Sequence, residues 1–146
     1  MVPPWTEGRR HAFIVNVLRS GTRKWPPKYL TLNEAKTEKK KNVRTGRLAQ
    51  HYLCNVCTGE FPAKEVQVDH IQPVVDPKTG FINWDTFIDR LFCEKENLQV
   101  LCTTCHKLKT SEENSQSKLT KQSKRQTASS SSKARSRKKK PTTSSK

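Results

Sequence analysis

The feature that most limits what this chain can fold into is a pair of cysteine knuckles. Cys54-Asn55-Val56-Cys57 and Cys102-Thr103-Thr104-Cys105 each present two thiolates from one tight turn, and two such turns complete a tetrahedral four-sulfur site. Soft sulfur donors in closed four-fold coordination suit zinc and leave no open position for catalysis, so a structural zinc is predicted there. Disulfides are the competing pairing. They are disfavoured by the odd count, with Cys93 left over. The N-terminus also lacks the pattern of a secretion signal, since Arg9, Arg10 and His11 precede only the short apolar run Ala12 to Val15. Cys93 itself, between Phe92 and Glu94, reads as a small buried residue. Because 44 residues separate Cys57 from Cys102, more than a simple zinc ribbon needs, the chemistry is expected in that insert.

Charge divides the 146 residues into three. Residues 1–53 carry 12 Lys and Arg against 3 acids, residues 54–110 carry 6 against 8, and residues 111–146 carry 11 against 2. A near-neutral middle is thus flanked by two cationic segments, and the formal net charge is +16. Self-repulsion on this scale opposes compaction, so a polyanionic partner is predicted, DNA before a membrane surface. No window reaches the roughly 20 apolar residues of a membrane helix. From Ser111 onward the chain has eleven Ser and one large apolar residue, Leu119. That composition predicts a disordered tail over 118–146. Its basic run, Lys133 to Lys140, reads either as phosphate-neutralising or as a solubilising or targeting tail.

The expected organisation is a basic, partly helical N-terminal DNA-binding arm over 1–50, a domain holding the zinc knuckles over 51–117, and the tail. In the arm, a helix over Gly8 to Arg19 would set Phe13, Val17, Ile14 and Leu18 on one face and Arg9, Arg10, His11 and Arg19 toward solvent or DNA. Pro26-Pro27 ends it at Trp25. A second helix is predicted from Leu32 to about Arg44 with Asn33 as its cap. Arg9, Arg10, Arg19, Arg23 and Lys24 are the candidate DNA contacts of this arm. Trp5, Trp25 and Tyr29 interleave with them, each alone reading as an anchor onto the core.

In the insert, Glu65 to Val74 alternates apolar Val66 and Val68 with polar neighbours until Pro73, a strand with Asp69 and His70 at its end. Adjacent strand residues face opposite ways, so the two can act jointly only at a bend or loop start. A short helix near Asp85 to Leu91 and the segment Glu96-Asn97-Leu98-Gln99-Val100-Leu101 lead into the second knuckle. His106 then opens a helix through Lys109-Thr110, with Lys107 and Lys109 as further phosphate contacts.

Taken in order and spacing over residues 52–110, these elements resemble the HNH endonuclease family: Cys-x-x-Cys, Val68-Asp69-His70-Ile71-x-Pro73, then Glu96-Asn97-Leu98-Gln99-x-Leu101-Cys102-x-x-Cys105-His106-x-x-Lys109-Thr110. The likeness is to the small stand-alone HNH proteins of tailed phages, homing endonucleases among them, which implies the cytoplasm of an infected bacterial host. The resemblance implies an α+β ββα-metal core, a hairpin and a helix stapled by zinc around one catalytic divalent ion, magnesium or manganese. By matched position, His70 is the general base, Asp69 and His106 are ligands of that ion, and Asn97 braces the loop that orients the base. The physics suits those roles. A neutral imidazole is a competent base near pH 7, and an ion with open positions neutralises charge building on phosphorus and on the leaving oxygen.

Singly, each residue has an ordinary reading: His70 as a hydrogen-bonded core histidine, His106 as a bystander of the zinc site, Asn97 as a turn or cap residue. His11 and His51 lie outside the motif and read as packing or surface. The sequence therefore predicts a metal-dependent endonuclease that hydrolyses DNA, by nicking or by double-strand cleavage, as a monomer or weak dimer. Its rival is a non-catalytic zinc-containing nucleic-acid-binding protein.

Overall fold

The computed structural model describes residues 4–137, with side chains through residue 126. The first helix, α1 (Glu7–Gly21), is capped by Thr6, whose side chain accepts from the Arg9 amide, and it carries Glu7 in its first turn. Its buried face differs from the expected one. His11, Ile14, Val15 and Leu18, spaced i, i+3, i+4, i+7, turn inward, while Phe13 and Val17 stay 57% and 53% exposed. The cause is aromatic: the His11 ring lies 4.6 Å from Phe81 and 4.8 Å from Trp84, which fixes the roll of the helix.

The prolines do break the chain at Trp25, but they also start a helix. Pro26 and Pro27 occupy the first positions of α2 (Pro26–Glu34), where a missing amide hydrogen costs nothing and φ is already helical. The helix expected from Leu32 to Arg44 does not form. In it, Lys36, Lys40 and Arg44 would stack at i, i+4 spacing and repel. The segment instead becomes β1 (Lys36–Lys41), paired antiparallel with β2 (Leu48–Leu53). β2 in turn pairs with β3 (Glu60–Pro62), giving a three-stranded sheet in the order β1-β2-β3.

A second sheet has two strands, β4 (Val66–His70) and β5 (Leu98–Cys102), antiparallel with Val66 opposite Cys102 and His70 opposite Leu98. Between them lies α3 (Trp84–Leu91), capped by the Asn83 side chain, which accepts from the Thr86 amide at 2.8 Å. α4 (Thr103–Arg137) follows β5 directly and packs against both β4 and β5. The protein is therefore mixed α+β, with two small sheets and a cluster of four cysteines.

Of the tail expected to be disordered from residue 118, the structure describes α4 as far as Arg137; residues 138–146 lie outside the described residues. Leu119 is 66% exposed, but Gln116, Ser117 and Thr120 are half-buried and Lys124 donates to Thr79 O at 3.4 Å, so this stretch of α4 runs beside the loop over 75–81. Once the knuckle at Cys102 to Cys105 has fixed the first turn, each further turn costs far less than nucleation.

Two clusters form the core. Cys54, Leu101 and Cys102 pack with Phe61 and Cys105, and Val74, Phe87 and Leu91 pack with Val15, Leu18, Trp84 and Phe92. The second cluster ties the N-terminal helices to the insert. Trp25 strengthens that joint, its ring nitrogen donating to the Cys93 carbonyl at 2.7 Å and its ring meeting Phe92 edge-on at 5.4 Å. Phe87, 2% exposed, sits in the middle of this joint. Phe87→Ala is expected to cost about 3–5 kcal/mol, read as a lower denaturant midpoint at unchanged slope.

Candidate functional site

The four knuckle sulfurs lie within 4.8 Å of one another, and Cys57 Sγ stands 3.9 Å from Cys102 Sγ. A tetrahedral ion with bonds of about 2.3 Å sets its sulfurs roughly 3.8 Å apart, so the cage fits zinc. Local backbone builds it. Thr58 takes a left-handed conformation, φ 56°, that turns the chain after Cys57. A side chain at Gly59 would meet Phe61 at 2.8 Å, so only glycine fits beneath that ring. Asn55 locks the first knuckle to β5, its amide donating to Val100 O at 2.8 Å and its Oδ1 accepting from the Val100 amide at 3.0 Å.

Amide donors also face the sulfurs, Cys102 N to Cys54 Sγ at 3.3 Å and Cys105 N to Cys102 Sγ at 3.4 Å. Burial alone would raise the Cys54 thiol, yet the backbone donors of Cys57, Cys102 and Val56 outweigh it and hold the pKa down to about 6. Cys105 is pushed up to about 12, first by the Cys102 sulfur. Four thiolates cannot share this space without a cation, and a divalent ion supplies the missing charge. The four cysteines are thus placed to hold a metal ion such as zinc. Among the described residues they form the one group of three or more ligating side chains.

A second site lies at the end of β4. Arg19, Asp69, His70, Lys109 and Glu113 line one cleft of about 130 Å3, closed by Pro73, Val74 and Val75. The strand ends at His70 and the chain bends toward Pro73, which brings Asp69 and His70 to the same cleft despite their alternation in the strand. His70 Nε2 lies 3.1 Å from the Leu91 carbonyl oxygen, which can only accept. The ring proton therefore sits on Nε2, and Nδ1 carries the lone pair of the neutral form. Half-burial pushes the His70 pKa below its ordinary value against the opposing pull of Leu91 O, and the nearby charge of Lys28 acts in the same direction as burial.

Lys109 fills the middle of the cleft. Its ammonium lies 2.8 Å from Asp69 and 2.7 Å from Glu113, and it donates to the His70 carbonyl at 2.8 Å. Burial works against its charge, but the two carboxylates outweigh it and raise its pKa. Lys109 is thus an internal partner of Asp69 and not the outward phosphate contact expected from its place on the helix. Asn97 stands where it braces the loop after His70: its Oδ1 accepts from the Gln72 amide at 2.9 Å and its carbonyl from the Ile71 amide at 2.8 Å.

His106, one turn before Lys109, lines a separate open hollow along α4 with Lys107 and Thr110. Asp69, His70 and Asn97 are therefore gathered around one strand end, whereas His106 lines a different hollow and is not among the residues of their cleft. Of the arm's cations, Arg19 reaches the cleft because Val15 and Leu18 dock α1 on the core. Arg10 is paired with Glu7 at 2.9 Å, and Arg9, Arg23 and Lys24 are exposed. His51 is buried, with Nδ1 2.9 Å from Ala49 O, and packs. Glu113 lies one turn beyond Lys109 on α4, past the end of the motif, and Lys28 is brought near His70 only by the packing of another element.

No family model, curated protein or solved structure matches the chain. No helix among the described residues is long and apolar enough to cross a membrane.

Proposed function

We propose that the protein is a metal-dependent endonuclease of the HNH type that hydrolyses DNA phosphodiester bonds. The observation that carries this reading is His70: half-buried, held neutral, its Nδ1 lone pair set by the Leu91 bond, and adjacent to a carboxylate in a cleft rimmed by Arg19. The arrangement of β4, β5 and α4 around it, with the cysteine cluster at the far end, suits the hairpin-and-helix core that the motif implies.

In this mechanism His70 Nδ1 takes the proton of the water that attacks phosphorus. Asn97 holds the backbone at 71 and 72, and Lys109 holds the His70 carbonyl, so the imidazole is aimed before substrate arrives. Arg19 places positive charge at the rim where a phosphate would enter, and Lys28 lies near enough to act on His70. Asp69 with His106, completed by water and phosphate oxygens, would hold magnesium or manganese, which supplies charge neutralisation at phosphorus and at the leaving 3′-oxygen. The Lys109 ammonium occupies Asp69, so such an ion would have to displace it, and Lys109 would keep Glu113 as its partner. The products, by the resemblance, are a 5′-phosphate and a 3′-hydroxyl.

The test is conversion of supercoiled plasmid with magnesium or manganese against an EDTA control. Asp69→Ala and His106→Ala are each expected to abolish metal-dependent nicking while zinc content persists. Survival of cleavage in both variants sinks the assignment of the ion to these residues. The second reading, a non-catalytic zinc-containing nucleic-acid-binding protein, is favoured by the Lys109 ion pair on Asp69 and by the separate position of His106. It predicts mobility shifts with no nicks at any metal concentration.

A further inference from the structure

The segment that becomes β1 and β2 ends in a projecting ribbon. β3 covers only His51 to Leu53 of β2, so from Lys39 to Gln50 the two strands stand alone. Lys39, Lys40 and Lys41 pair there with Gln50, Ala49 and Leu48, beyond a bulge between Lys36 and Lys39 that turns the ribbon from the sheet. The connecting loop is well defined. The Asn42 amide donates to Arg47 O at 2.9 Å, the Gly46 amide to Asn42 O at 2.8 Å, and Asn42 Oδ1 accepts from the Arg44 amide at 2.9 Å, with Gly46 in the left-handed region at φ 65°.

This ribbon buries little. All six residues of β1 except Thr37 are exposed, Val43 at the tip is fully exposed, and Leu48 is 66% exposed. Five cations, Lys39, Lys40, Lys41, Arg44 and Arg47, are carried on twelve residues that contain no acid, and among the described residues only Lys40 of the five has an acidic partner, Glu60 at 2.7 Å. A ribbon this exposed that gathers like charges gains little for the fold, and a polyanion is the partner that would offset the repulsion.

We propose that the β1–β2 ribbon is a DNA-docking element that enters the major groove of duplex DNA, with Lys39, Lys41, Arg44 and Arg47 on the flanking phosphates. It rests on the DNA partner of the reading above but not on its catalysis. A two-stranded ribbon, with strands about 4.8 Å apart, is admitted by the roughly 12 Å major groove of B-form DNA. The deep, narrow major groove of A-form RNA excludes it. Lys41 and Leu48 face each other across the ribbon, and Lys39 lies on that same face, so both lysines approach one wall of the groove.

The experiment measures affinity of the full chain for a fluorescent duplex without divalent metal, over a range of salt, so cleavage plays no part in it. Four phosphate contacts add about 3.6 to the slope of log K against log salt. The variant Lys39→Ala/Lys41→Ala/Arg44→Ala/Arg47→Ala is expected to lose most of that slope and about 10²–10³-fold of affinity near physiological salt. Arg44→Gln/Arg47→Gln, confined to a loop without packing, is expected to lose half as much and guards against misfolding of the larger variant. Zinc content and the thermal transition should match the parent in both. An unchanged slope in the double and fourfold variants overturns the proposal, as does an equal loss from Lys64→Ala/Lys78→Ala. Equal losses on duplex RNA and duplex DNA overturn the groove assignment. A protein that nicks plasmid normally with the fourfold slope unchanged keeps its nuclease reading and loses this one, and a protein that never nicks but loses slope does the reverse.

Discussion

Replacing His70 by Ala is expected to lower the metal-dependent nicking rate by about 10²–10⁴-fold, the range that one positioned general base contributes, with DNA affinity unchanged. The split between rate and affinity is the informative part. Among the described residues the one side-chain hydrogen bond of His70 runs from Nε2 to Leu91 O, which leaves Nδ1 for the attacking water rather than for holding DNA in the ground state. A core histidine with a packing role predicts something else: a lower melting temperature and equal losses in affinity and rate. Single-turnover nicking with saturating protein, beside a binding isotherm and a thermal melt, separates the two. Asn97→Ala should fall between them, since it frees the Gln72 amide and loosens the loop without removing the base. Undiminished nicking by His70→Ala would assign the activity to a contaminant or to another residue.

How far the sequence led depends on the range of the interaction concerned. The two knuckles were legible because metal coordination needs particular atoms at short spacing, and Cys54, Cys57, Cys102 and Cys105 do converge. The strand ending at His70, the short helix before Leu91 and the helix after the second knuckle were legible from periodicity and turn residues. The roll of α1 was not. Phe13 and Val17 are as apolar as the residues that are buried, and only the distant Phe81 and Trp84 rings decide that His11 and its neighbours face inward. β1 was illegible for a related reason: a Lys-Thr-Glu-Lys-Lys-Lys strand has no pattern of its own and exists through pairing with β2.

The cleft shows the same division. Asp69 and His70 line one cleft and Asn97 bonds the loop that follows them, because each sits in a local motif whose spacing survives folding, while His106 lines another hollow. Lys109 was visible as a cation but not as the partner of Asp69, because that needs the packing of α4 on β4, and Arg19 reaches the rim only through the docking of α1.

Metal removal carries the largest expected effect on the fold. Structural zinc contributes about 10–16 kcal/mol in small domains, comparable to or larger than the 5–15 kcal/mol that separates a native protein from its unfolded chain. Here the knuckles hold the start of α4 against β5 and β2, and Cys54, Leu101 and Cys102 make up one of only two core clusters among the described residues. That cluster has no large apolar residue besides Leu101 and Phe61 to sustain it alone. Stripping the ion with a strong chelator, or replacing Cys54 by Ser, should therefore abolish the cooperative thermal transition and the near-ultraviolet signal of Trp25 and Trp84. Readdition of zinc should restore both in the parent but not in Cys54→Ser. Cys93→Ser is the matched control. Cys93 lies outside the cage, touches Trp25 only through its carbonyl, and should keep one ion per chain and a nearly unchanged transition. A chelated protein that melts at the same temperature as the loaded one would show that the cysteines pack as ordinary small residues, and the structural role of the cage would fall with that result.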